Sequence, residues 1–164
     1  RLTDQATLMK IAREEWSVNI CADAAAQLID QAFLAELATA HRGWYVRVVS
    51  IERLEDQALL ARLAVEDATS DIRTAATKRL LDQGLLTELA FEGNGGAVRA
   101  AATERLTNQE LLAKKATSDD DPWIRVKAIK KLTDQSLLEG LAEDRENSSI
   151  RDAAGDRLRE LQQE

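Results

Sequence analysis

The chain has almost none of the residues that build tight turns, covalent staples or metal cages. Its single cysteine, Cys21, rules out a disulfide within the chain and leaves the redox compartment undetermined. With one histidine, His41, in a different stretch, the two cannot supply a multi-ligand metal site. One proline, seven glycines and 4% aromatics leave little for turn-rich β structure, so the composition points to helices. No apolar run approaches the ~20 residues of a membrane span. Basic charge is in deficit: 22 Lys and Arg face 29 Asp and Glu, a net charge of −7 with a pI near 4.9. That balance argues against a general binder of nucleic acid or of an anionic membrane. Residue 1 is Arg, so the chain is expected to be a fragment or a processed form, and further repeats are allowed before it.

What the chain does have is repetition. LTDQ at 2–5 returns as LIDQ, LEDQ, LLDQ, LTNQ and again LTDQ, opening at Leu2, Leu28, Leu54, Leu80, Leu106 and Leu132 in steps of 26 residues. Within each copy an Ala recurs without exception (Ala12, Ala38, Ala64, Ala90, Ala116, Ala142), followed, in every copy but the first, by an Ile/Val-Arg pair and then small residues. The expected organisation is a single domain over 1–164, with repeats 2–27, 28–53, 54–79, 80–105, 106–131 and 132–157. Polar residues 158–164 (LRELQQE) read as a terminal cap.

The apolar spacing inside a copy is helical. Leu59, Leu60, Leu63 and Ala64 form one stripe of a 3.6-residue period, and Ile72, Ala76 and Leu80 form a second. Polar stretches such as EDATSD, EGNGG and DDDPW separate them. Two helices per repeat are predicted, twelve in all, with turns near 15–18, 41–44, 67–70, 93–96, 119–122 and 145–148. Asp121 reads as an N-cap with Pro122 as the first helical residue, and Thr or Asp of the motif reads as the cap of the first helix. Helices of about ten residues are marginal alone in water, so stability must come from stacking.

This pattern, Asp-x5-Arg with Ile or Val before the Arg and small residues after it, resembles short bacterial HEAT repeats over the whole chain. The resemblance implies an all-α solenoid, a superhelix of six 26-residue two-helix repeats, right-handed by analogy. It also implies a ladder in which Asp and Arg bond between neighbouring repeats. Asp67, Arg73, Asp119 and Arg125 match the pattern, and the Arg continues at Arg47, Arg99 and Arg151. The Asp column holds His41, Gly93 and Arg145 elsewhere, and Cys21 replaces Arg in the first repeat. A near neighbour is the leucine-rich-variant repeat, with LAxD…VRxA in a shorter unit containing a 3₁₀ helix; the longer period here favours two α-helices.

Residues that carry chemistry are scarce. His41 falls in a turn, Cys21 reads as a packed thiol, and EGNGG lacks the Lys-Ser/Thr of a phosphate loop. Asp119–Asp121 lacks the alternating ligands of a calcium loop, and capping explains it. No metal or cofactor is expected. Function is sought where the repeat is broken. Trp44, Tyr45 and Trp123 stand at starts of second helices, in columns otherwise polar or small. Val48 and Val126 are expected on the polar side of those helices. Lys114, Lys115, Lys127, Lys130 and Lys131 make the fifth repeat basic, with six Lys/Arg against four Asp/Glu, while the sixth carries three against seven. Lys115 stands in a core column and is expected to send its amine to water or a carboxylate. A leucine there is expected to be tolerated.

The expected function is non-catalytic binding of another protein or peptide, on a groove that the resemblance implies is lined by second helices. Trp44, Tyr45, Val48, Trp123, Val126, Lys127 and Lys130 are the candidate contacts. Nucleic acid and membrane are not expected partners, a monomer is expected, and a cytoplasmic location is favoured. The alternative implied by the resemblance is an enzyme, such as an alkylpurine DNA glycosylase or a phycobilin lyase.

Overall fold

The computed structural model describes residues 4–163 and contains twelve α-helices among them. Leu2 and Thr3 of the first motif, and Glu164 of the cap, lie outside the described residues. The first repeat forms α1 (Gln5–Glu14) and α2 (Val18–Ala25), the second α3 (Gln31–Ala40) and α4 (Trp44–Arg53), the third α5 (Gln57–Glu66) and α6 (Ser70–Arg79). The fourth forms α7 (Gln83–Glu92) and α8 (Gly96–Arg105), the fifth α9 (Gln109–Ser118) and α10 (Pro122–Ile129), the sixth α11 (Gln135–Ala142) and α12 (Ser148–Leu161). The fold class is an α-solenoid of two-helix repeats. The chain divides into two compact units, one through Leu80 and one from Leu81. In the first, α1 packs on α2, α3 on α4 and α5 on α6, and the second helices stack α2 on α4 on α6. In the second, α7 packs on α8, α9 on α10 and α11 on α12, with α8 on α10 on α12.

Each motif residue has a separate task. The opening Leu is a core plug: Leu28, Leu54, Leu80, Leu106 and Leu132 are buried, each removing enough apolar surface from water to stabilise by about 1.5–3 kcal/mol. Asp is the N-cap of every first helix: the side chains of Asp4, Asp30, Asp56, Asp82 and Asp134, and of Asn108 in the fifth motif, accept first-turn N–H groups. Asp or its Asn equivalent, rather than Thr, therefore does the capping, because its short carboxylate or amide reaches N–H groups two and three residues ahead.

Gln closes the repeat. Gln31 donates to the Arg53 carbonyl (3.2 Å) and accepts from the Glu55 N–H (2.9 Å); Gln109 does the same with Lys131 (3.1 Å) and Thr133 (3.0 Å). One side chain thus ties the start of a first helix to the loop 22–24 residues later. A basic residue completes the closure by donating to the carbonyl of its own repeat's opening Leu: Arg53 to Leu28, Arg79 to Leu54, Lys131 to Leu106 and Arg157 to Leu132.

The Ala column is buried from Ala12 to Ala116 and half-buried at Ala142. Turns fall at 15–17, 41–43, 67–69, 93–95 and 119–121, and the sixth is wider, 143–147, because α11 stops at Ala142. There Asp144 accepts the N–H groups of Glu146 and Asn147 (both 2.9 Å), a local turn that competes with another helical residue.

Candidate functional site

Of the residues singled out in the sequence, Trp44, Tyr45 and Val48 come together in the first unit. Trp44 and Tyr45 are the first two residues of α4, behind Gly43, an N-cap without a side chain to bond. Their rings meet edge to face, centroids 5.8 Å apart at 69°, with Trp44 55% and Tyr45 43% exposed. Trp44 and Val48 line a cleft of about 200 Å³ with Glu52, Asp71, Thr74, Ala75, Lys78 and Arg79. The cleft runs between α4 and α6, which pack side by side. Two carboxylates and two cations on its walls make it amphoteric rather than basic. The Thr74 hydroxyl is buried and has no hydrogen-bond partner among the described residues.

Val48 and Val126 depart from expectation: both are half-buried instead of standing on an open polar face. For Val48 the reason is that α6 covers part of that side of α4 and supplies the opposite wall of the cleft. Spacing in the sequence could have extended the site, since Trp44, Val48 and Glu52 share one stripe at intervals of four. The facing residues Asp71, Thr74, Ala75 and Lys78 form a similar stripe. Trp16, 87% exposed and 5.6 Å from the Arg42 guanidinium, was missed because the column it occupies is a turn.

The second candidate group stands in the second unit and is largely self-satisfied. Trp123 is 55% exposed, but Lys127 lies 4.5 Å from its ring centre and pairs with Glu104. Lys130 is exposed at the end of α10. The basic cluster expected in the fifth repeat is dispersed. Lys115 is 3% exposed and pairs with Asp119, its amine 4.5 Å from the Phe91 ring centre; Lys114 sits 5.0 Å from the same centre. Lys131 gives its amine to the Glu104 and Leu106 carbonyls (both 2.6 Å), and burial with the neighbouring Arg105 charge lowers its pKa. Helical spacing scatters these lysines around two helices, so they make no single patch.

The Arg column is structural and works across repeats. Arg47 Nε donates to the Ala38 carbonyl (2.8 Å) while its far nitrogen pairs with Asp67 of the next repeat. Arg125 does likewise with Ala116 (2.9 Å) and Asp144 (3.9 Å). Arg73 bonds the main-chain carbonyls of Asp67 (2.7 Å) and Ala68 (3.1 Å), and Arg151 that of Asp144 (3.1 Å). The carboxylates of Asp67 and Asp119 therefore serve Arg47 and Lys115, not the Arg six residues later. Arg99 acts on Asp119 through its charge. Asp144 replaces Arg145 in the ladder, one residue out of register, because of its Asx-type turn.

Burial pulls the Asp119 carboxyl up, but hydrogen bonds from Lys115 and the Asp121 N–H, with the charges of Lys115 and Arg99, leave it below the usual range. Asp144 is lowered by the N–H groups of Asn147 and Glu146, against some burial and with help from Arg125 and Arg151. Cys21, where the Arg column begins, donates its thiol to the Glu15 carbonyl (3.1 Å), and burial raises its pKa. The His41 ring accepts the Gly43 N–H (2.9 Å) and shapes the turn before Trp44. No group of three or more metal-ligating side chains is assembled among the described residues, and no helix among them is long and apolar enough to cross a membrane.

No protein-family model and no curated protein matches the chain. Among solved structures it is similar to a leucine-rich repeat variant with a novel repetitive protein structural motif, at TM-score 0.67 and 22% identity. The likeness covers 94% of this chain and 61% of that one, so the chain spans less than two thirds of its neighbour's length. At that identity the likeness shows the fold, a repetitive helical array.

Proposed function

We propose that the chain is a non-catalytic, HEAT-like binding module for another protein, taken up as a peptide segment at the cleft lined by Trp44 and Val48, with Tyr45 against the Trp44 ring. The observation that carries this reading is the pair of exposed rings, set edge to face, beside an open amphoteric cleft that Trp44 lines. Exposed aromatics at a cleft mouth are the usual anchors of interfaces. Glu52 and Asp71 facing Lys78 and Arg79 favour a segment with an apolar residue flanked by charges of both signs. The glycosylase-like alternative needs a broad basic face beside an aromatic and a carboxylate. Engagement of Lys115, Lys127 and Lys131 inside the fifth repeat and its neighbour weighs against that.

The test selects peptides from a random displayed library on the purified chain and measures their affinity by calorimetry. Trp44→Ala is expected to weaken the selected peptides about 30-fold or more, the ~2 kcal/mol of an anchor residue, with the melting midpoint little changed. Trp123→Ala is expected to leave their binding unchanged. Peptides that bind Trp44→Ala as tightly as the original chain would remove the cleft from consideration.

A further inference from the structure

The repeat places two grooves of the same register in the chain, one within each unit. In the first unit α4 packs on α6; two repeats further along, in the second, α8 packs on α10. Column for column, Glu52 on α4 corresponds to Glu104 on α8. On the facing helices Lys78 corresponds to Lys130, Arg79 to Lys131 and Ala75 to Lys127. The two grooves thus share a carboxylate and two cations, and differ by a lysine that only the second has.

That lysine has a definite place. Lys127 crosses from α10 to pair with Glu104, its amine 4.5 Å from the Trp123 ring centre and its side chain 26% exposed. Ring and carboxylate both attract the ammonium, and the four-carbon stem covers apolar surface. The two neighbouring cations do not displace it. Lys131 gives its amine to the Glu104 and Leu106 carbonyls, and Lys130 is exposed.

In the first unit the surroundings are kept and the lysine is missing. Ala75 lines the cleft of about 200 Å³ with Trp44 and Glu52. Trp44 stands where α8 has Gly96, so a ring comes from the opposite wall, and Asp71 takes the column of Trp123 as a second carboxylate. The side chains of Glu52 and Asp71 are exposed and make no hydrogen bond or ion pair among the described residues. Thr74 replaces Val126 and leaves a buried hydroxyl without a partner on the same wall. Arg79 is turned onto the Leu54 carbonyl, as Lys131 is onto Leu106. Two carboxylates against Lys78 and Arg79 make this cleft neutral, whereas the second groove holds Lys127 with one carboxylate against two other cations. A lysine is therefore better matched in charge here than where the chain already holds one.

We propose that the cleft takes a lysine side chain of the partner protein, its amine among the Trp44 ring and the Glu52 and Asp71 carboxylates, its stem along Val48 and Ala75. This rests on the cleft being the binding site, and it identifies the apolar element of the bound segment as the stem of that lysine.

The test takes peptides selected from a random displayed library on the purified chain and remakes each with norleucine in place of its lysine. The selected peptides are expected to share one lysine. Norleucine keeps the stem and drops the amine, and is expected to weaken binding about tenfold or more by calorimetry. Against Glu52→Gln the same exchange is expected to cost about threefold or less, because the amine has already lost its carboxylate. Ala75→Lys supplies from α6 the lysine that α10 has, and is expected to abolish peptide binding while the chain still melts cooperatively. The norleucine comparison stands by itself if that variant, made at a buried site, lowers the midpoint. Peptides that Trp44→Ala weakens but that share no lysine, or that bind as well with norleucine, overturn the lysine and leave the cleft as the binding site. Peptides indifferent to Trp44→Ala, or a library that yields no binder, overturn both.

Discussion

Lys115 shows how one side chain can obey a core column and break it at once. Its stem fills the leucine position, and its amine turns to Asp119, whose side chain is itself only 6% exposed. The leucine that sequence alone would tolerate is therefore no longer neutral, since Lys115→Leu strands a nearly buried carboxylate. We expect a loss of about 1–3 kcal/mol by urea denaturation, and much of it recovered in the double variant Lys115→Leu/Asp119→Ala, where neither charge is left alone. Equal losses in the single and double variants would show that the pair is not coupled. Gln109 is a milder case, because its bonds to Lys131 and Thr133 are exposed. Gln109→Ala is expected to cost about 1 kcal/mol, measured the same way. The Lys in a leucine column was legible in the sequence. Its partner was not, because the i,i+4 carboxylate Asp119 stands in a turn that reads as capping residues.

At the scale of the helix, first and second members of each pair start differently. Every first helix is capped by the Asp or Asn of its motif, whereas α4 and α8 begin behind Gly43 and Gly95, which have no side chain to offer. The two glycines are not equivalent. Gly43 has φ −89°, and an added Cβ would meet His41 and Val18 at 3.4 Å. Gly43→Asp is therefore expected to stabilise by a few tenths of a kcal/mol through a new cap, seen as a higher melting midpoint. Gly95 has φ 105°, so Gly95→Asp is expected to cost about 1 kcal/mol. A shared direction for both substitutions would refute this contrast. Helix number and five of the six turns were readable from a period that never slips. The sixth was displaced by Asp144, whose backbone-bonding habit outweighs its place in the register. The walls of the cleft were not legible in the sequence because they come from two helices, and only one of those carries aromatics.

For the molecule as a whole, acid is the revealing perturbant. Asp119 and Asp144 have lowered native pKa values and both belong to the second unit. Their stabilising contribution is fully present above the unfolded carboxyl pKa of about 3.9 and is lost as pH falls toward the lower native values, where the unfolded chain binds protons more readily. Urea denaturation repeated at falling pH is expected to show that loss below about pH 4. Asp144→Asn, which can still accept the N–H groups of Glu146 and Asn147, is expected to flatten the acid slope. An unchanged slope would assign the acid sensitivity elsewhere.

The closing bonds of each repeat have one more consequence. Gln and the basic residue at the end of the copy address mostly main-chain atoms, which every residue offers, so these closing bonds ask little of the copy beyond, whose identity is read instead by pairs such as Arg47–Asp67 and Arg125–Asp144. Such a chain can be edited like a row of interchangeable cassettes. Excising residues 106–131 joins Arg105 to Leu132 with the closing contacts still available in kind, so the shortened protein is expected to keep a cooperative melt although Asp144 and Glu104 lose Arg125 and Lys127.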